Sequence, residues 1–353
     1  MNVDVLSDVL NTVRLVGALH YDFELTAPWV AEAPPIRDIA TLVMPGVQRV
    51  FEYHLVASGS CWAHAVGQPP VRVLEGDFIV FGQGHAHVLS STPGLRKAPD
   101  AGFYARGPSE LPVYFQSGGD GDERVRIICG FLGCDERPYN PLLATLPAMI
   151  HVSSKGAAAT GPNWFGTLAA MAAQDARAPR AGGQNGLARL SELMFVEALR
   201  HYLLTLGPGD GGWLAGLRDP LVGRALQAIH EAPHEPWTVE RLARHVGASR
   251  SVLAERFTAT VGQPPMQYVT LWRMQIASRL LVDGAHVASV AEAIGYESEA
   301  AFSRAFKKQV GQSPAAWRDC QVAARTLGRT SGRYPRDCGN QLGAAATAGA
   351  TAS

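Results

Sequence analysis

The chain has 353 residues, 47% of them hydrophobic, and its 31 Lys and Arg balance 31 Asp and Glu. This length exceeds one ordinary hydrophobic core, so we expect two domains. Its apolar runs are too short for a membrane span and no signal-like segment opens the sequence, so we expect a cytoplasmic protein without a membrane partner. Its five cysteines are scattered and form no CxxC pair, which argues against a disulfide scaffold or a thiolate zinc site.

The first part of the chain is predicted to form short β-strands separated by turn signals. These strands cover residues 50–57, 71–74, 78–81, 87–90 and 125–131. Evenly spaced short strands are typical of a sandwich or a jelly roll. Residues 92–123 are rich in Gly, Pro, Ser and Asp, which predicts a long mobile loop.

From Asn163 onward the pattern changes to helix. Residues 187–206 carry an apolar stripe at helical spacing, and residues 164–174 are predicted to pack against it as an antiparallel partner. The glycine-rich segment 207–212 is predicted to be a flexible linker.

Residues 238–318 contain one helix–turn–helix pattern written twice. The first copy has Gly247 in its turn and Phe257 in its second helix, and the second copy has Gly295 and Phe306. The offset between copies is 48 before each turn and 49 after it. Two helix pairs of this kind are typical of proteins that read two successive major-groove segments of double-stranded DNA, so we predict a transcription regulator.

Helical spacing divides the second helix of each copy into an inner and an outer face. The inner faces are predicted to hold Val252, Leu253, Phe257 and Val261 in the first copy, and Ala301, Phe302, Ala305, Phe306 and Val310 in the second. The outer faces hold Arg250, Ser251, Ala254, Glu255 and Thr258 in the first, and Glu299, Ala300, Ser303, Arg304 and Lys307 in the second. The alternative is that these outer residues are only solvated. Their matched polarity in two copies favours DNA contact.

The segment 265–282 is predicted to be one long helix. It would hold the second helices of the two copies, called the readers below, at a fixed distance. Residues 219–329 contain 13 Lys and Arg against 10 Asp and Glu, a net charge of +3. Such a weakly basic domain depends on a local positive patch and on dimerisation for affinity.

The sequence GYESEAAFSRAFKK at 295–308, followed by Gly311, Pro314 and Trp317, closely resembles the C-terminal domain of AraC/XylS regulators. The resemblance covers about residues 219–320 and implies a seven-helix, two-lobed domain whose third and sixth helices enter adjacent major grooves. It places eight of the outer residues at base-facing positions: Arg250, Ser251, Ala254 and Glu255 in the first copy, and Glu299, Ala300, Ser303 and Arg304 in the second. Arg can donate to guanine and Glu can accept from cytosine, whereas Lys307 and Lys308 are expected to contact phosphate.

The sequence GDFIVFGQGHAH at 76–87 resembles the second motif of cupins, with Gly82 in place of the usual proline. The first cupin motif, with its HxH pair, is not visible: only Glu52, His54 and His64 occur in that region. The sequences DVLSDVL at 4–10, SCW at 60–62 and CG at 129–130 resemble the N-terminal part of cupin-fused AraC regulators, which implies a small barrel. We expect no metal and no cofactor.

His54, His87 and Cys129 are predicted to converge inside the barrel as an effector or redox site, with Cys61 as a second candidate thiol. Imidazole and thiol groups suit zinc, copper or iron, and a thiol with a lowered pKa would sense oxidants. The alternatives are that His87 is a hydrogen-bonded core histidine and that Cys129 is buried and inert.

These observations predict a two-domain α+β protein with a cupin-like jelly roll, a helical pair and an all-α double helix–turn–helix domain. The expected ranges are a sensor domain at 1–150, a helical dimerisation pair and linker at 151–212, a DNA-binding domain at 213–325 and a disordered tail at 326–353.

We expect a homodimeric regulator without enzyme activity, controlled by a small molecule or an oxidant, with RNA polymerase as a partner if it is an activator. The alternative is a cupin oxygenase or isomerase fused to a DNA-binding module. An alkyl-transfer repair protein is disfavoured because no Pro-Cys-His motif occurs.

Overall fold

The structure is a computed structural model that describes residues 4–105, 113–135, 138–154, 164–177, 181–207 and 209–330. The chain forms two compact units. The barrel unit comprises Arg14–Asp135 and Leu146–Pro208, and the helical unit comprises Met1–Val13, Glu136–Thr145 and Gly209–Ser353. This division differs from the predicted ranges because the first helix and a short segment after residue 135 pack with the C-terminal helices.

The barrel unit contains the strands of the protein, three α-helices and a 3₁₀ turn among its described residues. The strands are β1 (Val16–Thr26), β2 (Val30–Ala33), β3 (Arg49–Ser58), β4 (Ser60–Ala65), β5 (Val71–Leu74), β6 (Phe78–Phe81), β7 (His87–Ser90), β8 (Val113–Gly118), β9 (Arg124–Cys134) and β10 (Ile150–Val152). The helices are α2 (Ile36–Val43), α3 (Trp164–Arg177) and α4 (Gly183–Thr205), and the 3₁₀ turn is Ala101–Ala105.

Two sheets form the barrel walls. One has the strand order β10-β6-β3-β9-β1-β8 and the other β2-β7-β4-β5. The predicted jelly-roll class is confirmed, and all five predicted strands are present. The predicted loop at 92–123 is wrong over Val113–Gly118, because β8 pairs in parallel with β1.

Strand alternation sorts the side chains of the large sheet between two sides. On β3, Val50 and Val56 join the core between the sheets, together with Ile127 and Phe131 of β9. Phe51 and Tyr53, which alternate with these interior residues, face the opposite side, where Phe51 packs on Phe195 of α4 with ring centroids 5.0 Å apart. The strand therefore carries the barrel interior on one face and the helical pair on the other.

Helix α4 lies unusually close to β1. A Cβ atom added to Gly17 would lie 2.4 Å from the backbone oxygen of Ala188. Ser191 of α4 shares a 2.6 Å hydrogen bond with the buried hydroxyl of Tyr53 and donates to the carbonyl of Leu187. The absence of a side chain at Gly17 permits this close contact between helix and sheet.

We predict that Gly17→Ala lowers the free energy of unfolding of the barrel unit by about 1–3 kcal/mol, because the new methyl group overpacks the contact. The matched control is Gly186→Ala in α4, where an added Cβ meets nothing within 4 Å. Because alanine favours helix, the control should gain about 0.5–1 kcal/mol. Urea denaturation of both variants measures the difference, and equal effects of the two substitutions would contradict the close packing.

The helical unit contains two similar lobes. Its helices are α1 (Val5–Thr12), α5 (Trp213–Arg218), α6 (Pro220–Glu231), α7 (Val239–His245), α8 (Arg250–Val261), α9 (Pro265–Val282), α10 (Val287–Ala293), α11 (Glu299–Val310) and α12 (Pro314–Thr330). The predicted tail begins at 326, but α12 continues to Thr330; residues 331–353 lie outside the described residues. Among the described residues, no helix is long and apolar enough to cross a bilayer.

The two helix–turn–helix copies have matching ends. Ser249 caps α8 by accepting from the backbone N–H of Val252, and Ser298 caps α11 by accepting from that of Ala301. Each helix ends at a left-handed glycine, Gly262 or Gly311, where only glycine adopts the conformation without strain. The predicted inward position of Val252 is wrong, since its residue is 50% exposed. The inner stripe is defined by Leu253, Phe257 and Val261, and Val252 lies outside their spacing.

The N-terminal helix α1 is bound to the helical unit through a buried polar chain. His230 of α6 donates from Nδ1 to the Asp8 carboxylate at 2.6 Å and accepts at Nε2 from the Tyr268 hydroxyl at 2.8 Å. Trp213 donates its indole N–H to the same hydroxyl oxygen at 2.8 Å. Residues separated by more than 200 positions thus form one polar chain.

The segment 138–145 is held in the same unit. The backbone N–H of Tyr139 donates to the Gln275 side chain of α9 at 2.9 Å, and the Tyr139 hydroxyl accepts a hydrogen bond from Gln263. Its ring meets that of Tyr268 edge to face, with centroids 5.8 Å apart.

We predict that acid destabilises the helical unit through His230. Burial lowers the pKa of this imidazole, and the Asp8 carboxylate offsets only part of that effect. As the pH falls below about 6.5, this histidine becomes protonated in the unfolded chain but stays neutral in the native protein. The free energy of unfolding therefore decreases. The melting temperature should therefore fall more between pH 7.5 and 5.5 in the wild type than in His230→Gln. His286→Gln, at an exposed position, is the control and should retain the wild-type slope; a wild-type slope in His230→Gln would contradict the assignment.

Candidate DNA interface and a buried histidine cluster

The outer face of α8 is accessible but carries few side chains that could hydrogen-bond to a base. Arg250, Ser251 and Glu255 are exposed and Ala254 is half-buried. The Arg250 guanidinium lies 2.9 Å from the Glu240 carboxylate of α7 in an exposed ion pair. A base contact by Arg250 would have to replace that pair.

The outer face of α11 carries more charge. Glu299, Arg304, Lys307 and Lys308 are exposed together with Ala300, while Ser303 is half-buried. No ion pair of Arg304, Lys307 or Lys308 occurs among the described residues. Three cations on one short helix form the local positive patch that a weakly basic domain needs to attract phosphate.

Helix α9 connects the two lobes as one continuous element. Its 18 residues correspond to a rigid length of about 27 Å. Tyr268 and Trp272 are fully buried on the first-lobe side, and Met274, Ala277 and Leu281 belong to the core of the second lobe. Each lobe therefore packs on the same helix, which fixes the separation between the readers.

A second candidate site lies between the two sheets of the barrel. Glu52 and His54 come from β3, Cys129 lies opposite His54 on β9, and His87 comes from β7 of the other sheet. All four residues are at most 4% exposed. The predicted convergence of His54, His87 and Cys129 is present in the structure. Cys61 lies in the same core, on β4.

Three hydrogen-bond contacts connect this cluster. His54 Nδ1 lies 2.8 Å from Cys129 Sγ, and His54 Nε2 lies 2.8 Å from His87 Nε2. His87 Nδ1 lies 3.4 Å from the backbone oxygen of His85, which can only accept. For neutral rings these contacts require one proton order: Cys129 donates to His54, His54 donates to His87, and His87 donates to the carbonyl.

Burial makes the cluster uncharged at neutral pH. It lowers the pKa of His54, and it lowers the pKa of His87 to about 3. Burial raises the pKa of the Glu52 carboxyl to about 8. It also raises the pKa of Cys129 well above its usual range and that of Cys61 to about 12.

Glu52 is the residue that the sequence prediction did not include. Its carboxylate oxygens lie 4.0 Å from His54 Nε2 and 3.7 Å from His87 Nε2. The period of two along a strand places Glu52 on the same face as His54, and this signal was available from the sequence. His64, the other histidine near the missing motif, is not among the residues of the cluster.

The chain matches two protein families in the order of its two folds. The family described as Cupin matches residues 4–204, and the family described as Helix-turn-helix domain matches residues 242–319. An AraC-like transcription regulator of Streptomyces lividans is 35% identical over 90% of this chain and 98% of its own length. The chain belongs to the AraC-like transcription regulators.

The chain is also similar to two further proteins. The transcriptional regulator AlkR of Acinetobacter baylyi is 28% identical over 75% of this chain and 86% of its own length. The solved DNA-binding domain of AdpA, in complex with a target DNA, is 35% identical over 31% of this chain and 99% of that chain, with a TM-score of 0.29. The prediction of an AraC-type, DNA-binding transcription regulator is confirmed, and its relatives are named as regulators.

We predict that the barrel thiols of this regulator react slowly in the native state. Because burial raises the pKa of both, Cys61 and Cys129 should be alkylated by iodoacetamide at least about 100-fold more slowly in native than in urea-unfolded protein. Mass spectrometry of the labelled peptides gives the rate at each position. Native rates within about tenfold of the unfolded rates would show that the thiols are accessible.

Proposed function

We propose that this regulator binds adjacent major-groove segments of one DNA duplex with α8 and α11. The observation that supports the proposal is the repeated helix pair, with matched serine caps, exposed polar faces and one helix shared by both lobes. Recognition of two groove segments about 34 Å apart needs a fixed spacer, and α9 has comparable length.

The proposed base-facing residues are Arg250, Ser251, Ala254 and Glu255 on α8, and Glu299, Ala300, Ser303 and Arg304 on α11. Lys307 and Lys308, in the last turn of α11, are proposed to bind phosphate. The unpaired charges on α11 support a larger share of sequence discrimination for the second reader. The small residues of α8 leave DNA shape as the second source of specificity.

We propose that the barrel senses rather than catalyses, and that a small ligand or thiol oxidation there controls the readers. The candidate groups are His54, His87, Cys61 and Cys129. The convergence of these groups between the two sheets supports the proposal, and their exposure of at most 4% disfavours an oxygenase or isomerase, which needs access for an organic substrate. The same burial means that a ligand or an oxidant reaches the cluster only when the barrel opens.

We further propose that the regulator acts as a homodimer in the cytoplasm and contacts RNA polymerase if it activates transcription. Leu193 and Leu204 of α4 are 51% and 59% exposed, and their separation of eleven residues places them on one face of the helix. These two exposed leucines, which flank the Glu197–Arg200 ion pair on that face, support the helical pair as the dimer contact.

The test of DNA reading begins with selection of bound fragments from random duplex DNA by the full chain. On the selected site, Arg304→Ala should weaken binding by about 1–3 kcal/mol and relax the preference at one base position. Lys307→Ala should weaken selected and random duplexes alike and reduce the salt dependence by about one charge.

Fluorescence anisotropy over a range of salt concentrations measures both effects. Arg37→Ala is the matched control, because it removes one positive charge from an exposed position on α2 of the barrel unit, outside the proposed contacts. It should bind as the wild type does. Equal, sequence-independent losses in Arg304→Ala and Lys307→Ala would overturn the division between base and phosphate contacts.

A further inference from the structure

We propose that Glu52, His54 and His87 bind one divalent transition-metal ion, zinc or a similar first-row ion, inside the barrel. One ligand atom from each residue, all of them buried, lies within 4.8 Å of the others. The proposal goes beyond DNA reading and does not depend on it, since the ligands all belong to the barrel unit.

The spacing of the ligand atoms suits a small ion. Metal–ligand bonds of about 2.0–2.1 Å in a tetrahedral site place neighbouring ligand atoms about 3.3 Å apart. The separations here are 2.8 Å between the two Nε2 atoms and 3.7 and 4.0 Å from these atoms to the Glu52 oxygens. Shifts of less than about 1 Å would therefore complete the site.

The carboxyl distances place Glu52 outside the hydrogen-bond chain of the two imidazoles. A hydrogen bond from either imidazole to Glu52 would need a separation of about 3.2 Å or less, and both separations exceed that. The two Nε2 atoms instead face each other across a gap that one proton alone can bridge. An ion bound there would use both nitrogen lone pairs and would replace the proton between the two Nε2 atoms and the proton of the buried Glu52 carboxyl.

Each imidazole already has an outer partner for its other nitrogen. His87 Nδ1 faces the His85 carbonyl, and His54 Nδ1 faces Cys129 Sγ. Metal-bound histidines characteristically donate from the nitrogen that does not bind the ion, which fixes the ring orientation. When Nε2 of His54 binds the ion, its proton resides on Nδ1 and is donated to Cys129.

This geometry also assigns the role of Cys129. The two nitrogens of one imidazole point away from each other, so an ion at Nε2 of His54 lies on the opposite side of the ring from Sγ. Cys129 is consequently a positioning residue for His54 and not a ligand.

Two imidazoles and one carboxylate match the protein ligands of zinc and of non-haem iron(II) sites. The sequence prediction of no metal came from the missing HxH pair. Glu52 and His54 supply an equivalent pair, two residues apart on one strand, and His87 completes the set from the opposite sheet. Ligands on strands of a packed barrel are held more rigidly than ligands on loops.

The test uses the full chain, stripped of metal with a chelator and dialysed. Titration with Co²⁺ should saturate at one ion per chain and produce visible d–d absorption, which Zn²⁺ then removes by displacement. A thiolate-to-cobalt band in the near ultraviolet should be absent, because Cys129 lies outside the proposed ligand set. Saturation that requires Cys129 as a ligand, seen as that band, would overturn the assignment.

Three variants locate the ion. Loss of an outer partner of a metal ligand weakens binding by about 10–100-fold, and the Co²⁺ affinity of Cys129→Ser should decrease by a factor in that range. Glu52→Gln and His87→Gln each remove a ligand, so the Co²⁺ affinity of each should decrease by a larger factor. His85→Gln is the matched control, because its exposed imidazole lies in the same turn and only its backbone oxygen contacts the cluster. It should bind as the wild type does.

Circular dichroism verifies that each variant is folded, and if His87→Gln does not fold, Glu52→Gln alone decides, since it keeps the shape of the side chain. A folded wild type that binds no stoichiometric Co²⁺ would overturn the proposal. Wild-type affinity in Glu52→Gln would overturn it as well. Neither result would affect the proposed DNA contacts, which the operator-binding measurements test separately.

Discussion

The register of β3 between β9 and β6 is the constraint on which the barrel depends. It directs Glu52 and His54 toward the opposite sheet and Tyr53 toward α4. A slip of one residue would exchange these faces, placing an aromatic ring in the interior and a carboxylate against a helix. The same strand thus connects the histidine cluster to the helical pair through adjacent residues. Any ligand that displaces β3 also changes the contact between Tyr53 and Ser191.

In the helical unit the corresponding constraint is α9, whose two halves lie in different cores. The readers themselves are short helices that would be marginal in isolation. Their caps and inner aromatic residues keep them folded against α9, and the outer residues of α11 take no part in that packing. Arg304, Lys307 and Lys308, all exposed, can therefore be replaced without cost to the core.

Much of this architecture follows from local sequence patterns. The repeated helix pairs and the bounds of α9 were predicted because helical spacing and turn glycines are short-range signals. The first strand was missed because Asp22 and Glu24 interrupt its apolar pattern. Asp22 is buried only because Arg126, 104 positions later, donates to both of its oxygens. Such a pairing is not visible in a local window.

The candidate sites show the same limit. The convergence of His54, His87 and Cys129 was predicted, but Glu52 was noted near the missing first motif and not included, because that motif has an HxH pair and this chain does not. The place of Asp8 beside His230 could not be predicted, since the two residues are separated by 222 positions. Where a long-range partner decides burial, the sequence indicates only that a polar residue is present.

The membership of α1 in the helical unit makes the barrel an insertion within that unit rather than a module that precedes it. During synthesis on the ribosome, the first dozen residues emerge long before Trp213, His230 and Tyr268 exist. The barrel can fold before α1 has its packing partners, but the polar chain around His230 can form only after α9 has emerged. A fragment that starts at residue 213 would leave that histidine without its carboxylate and Tyr268 without the ring of Tyr139.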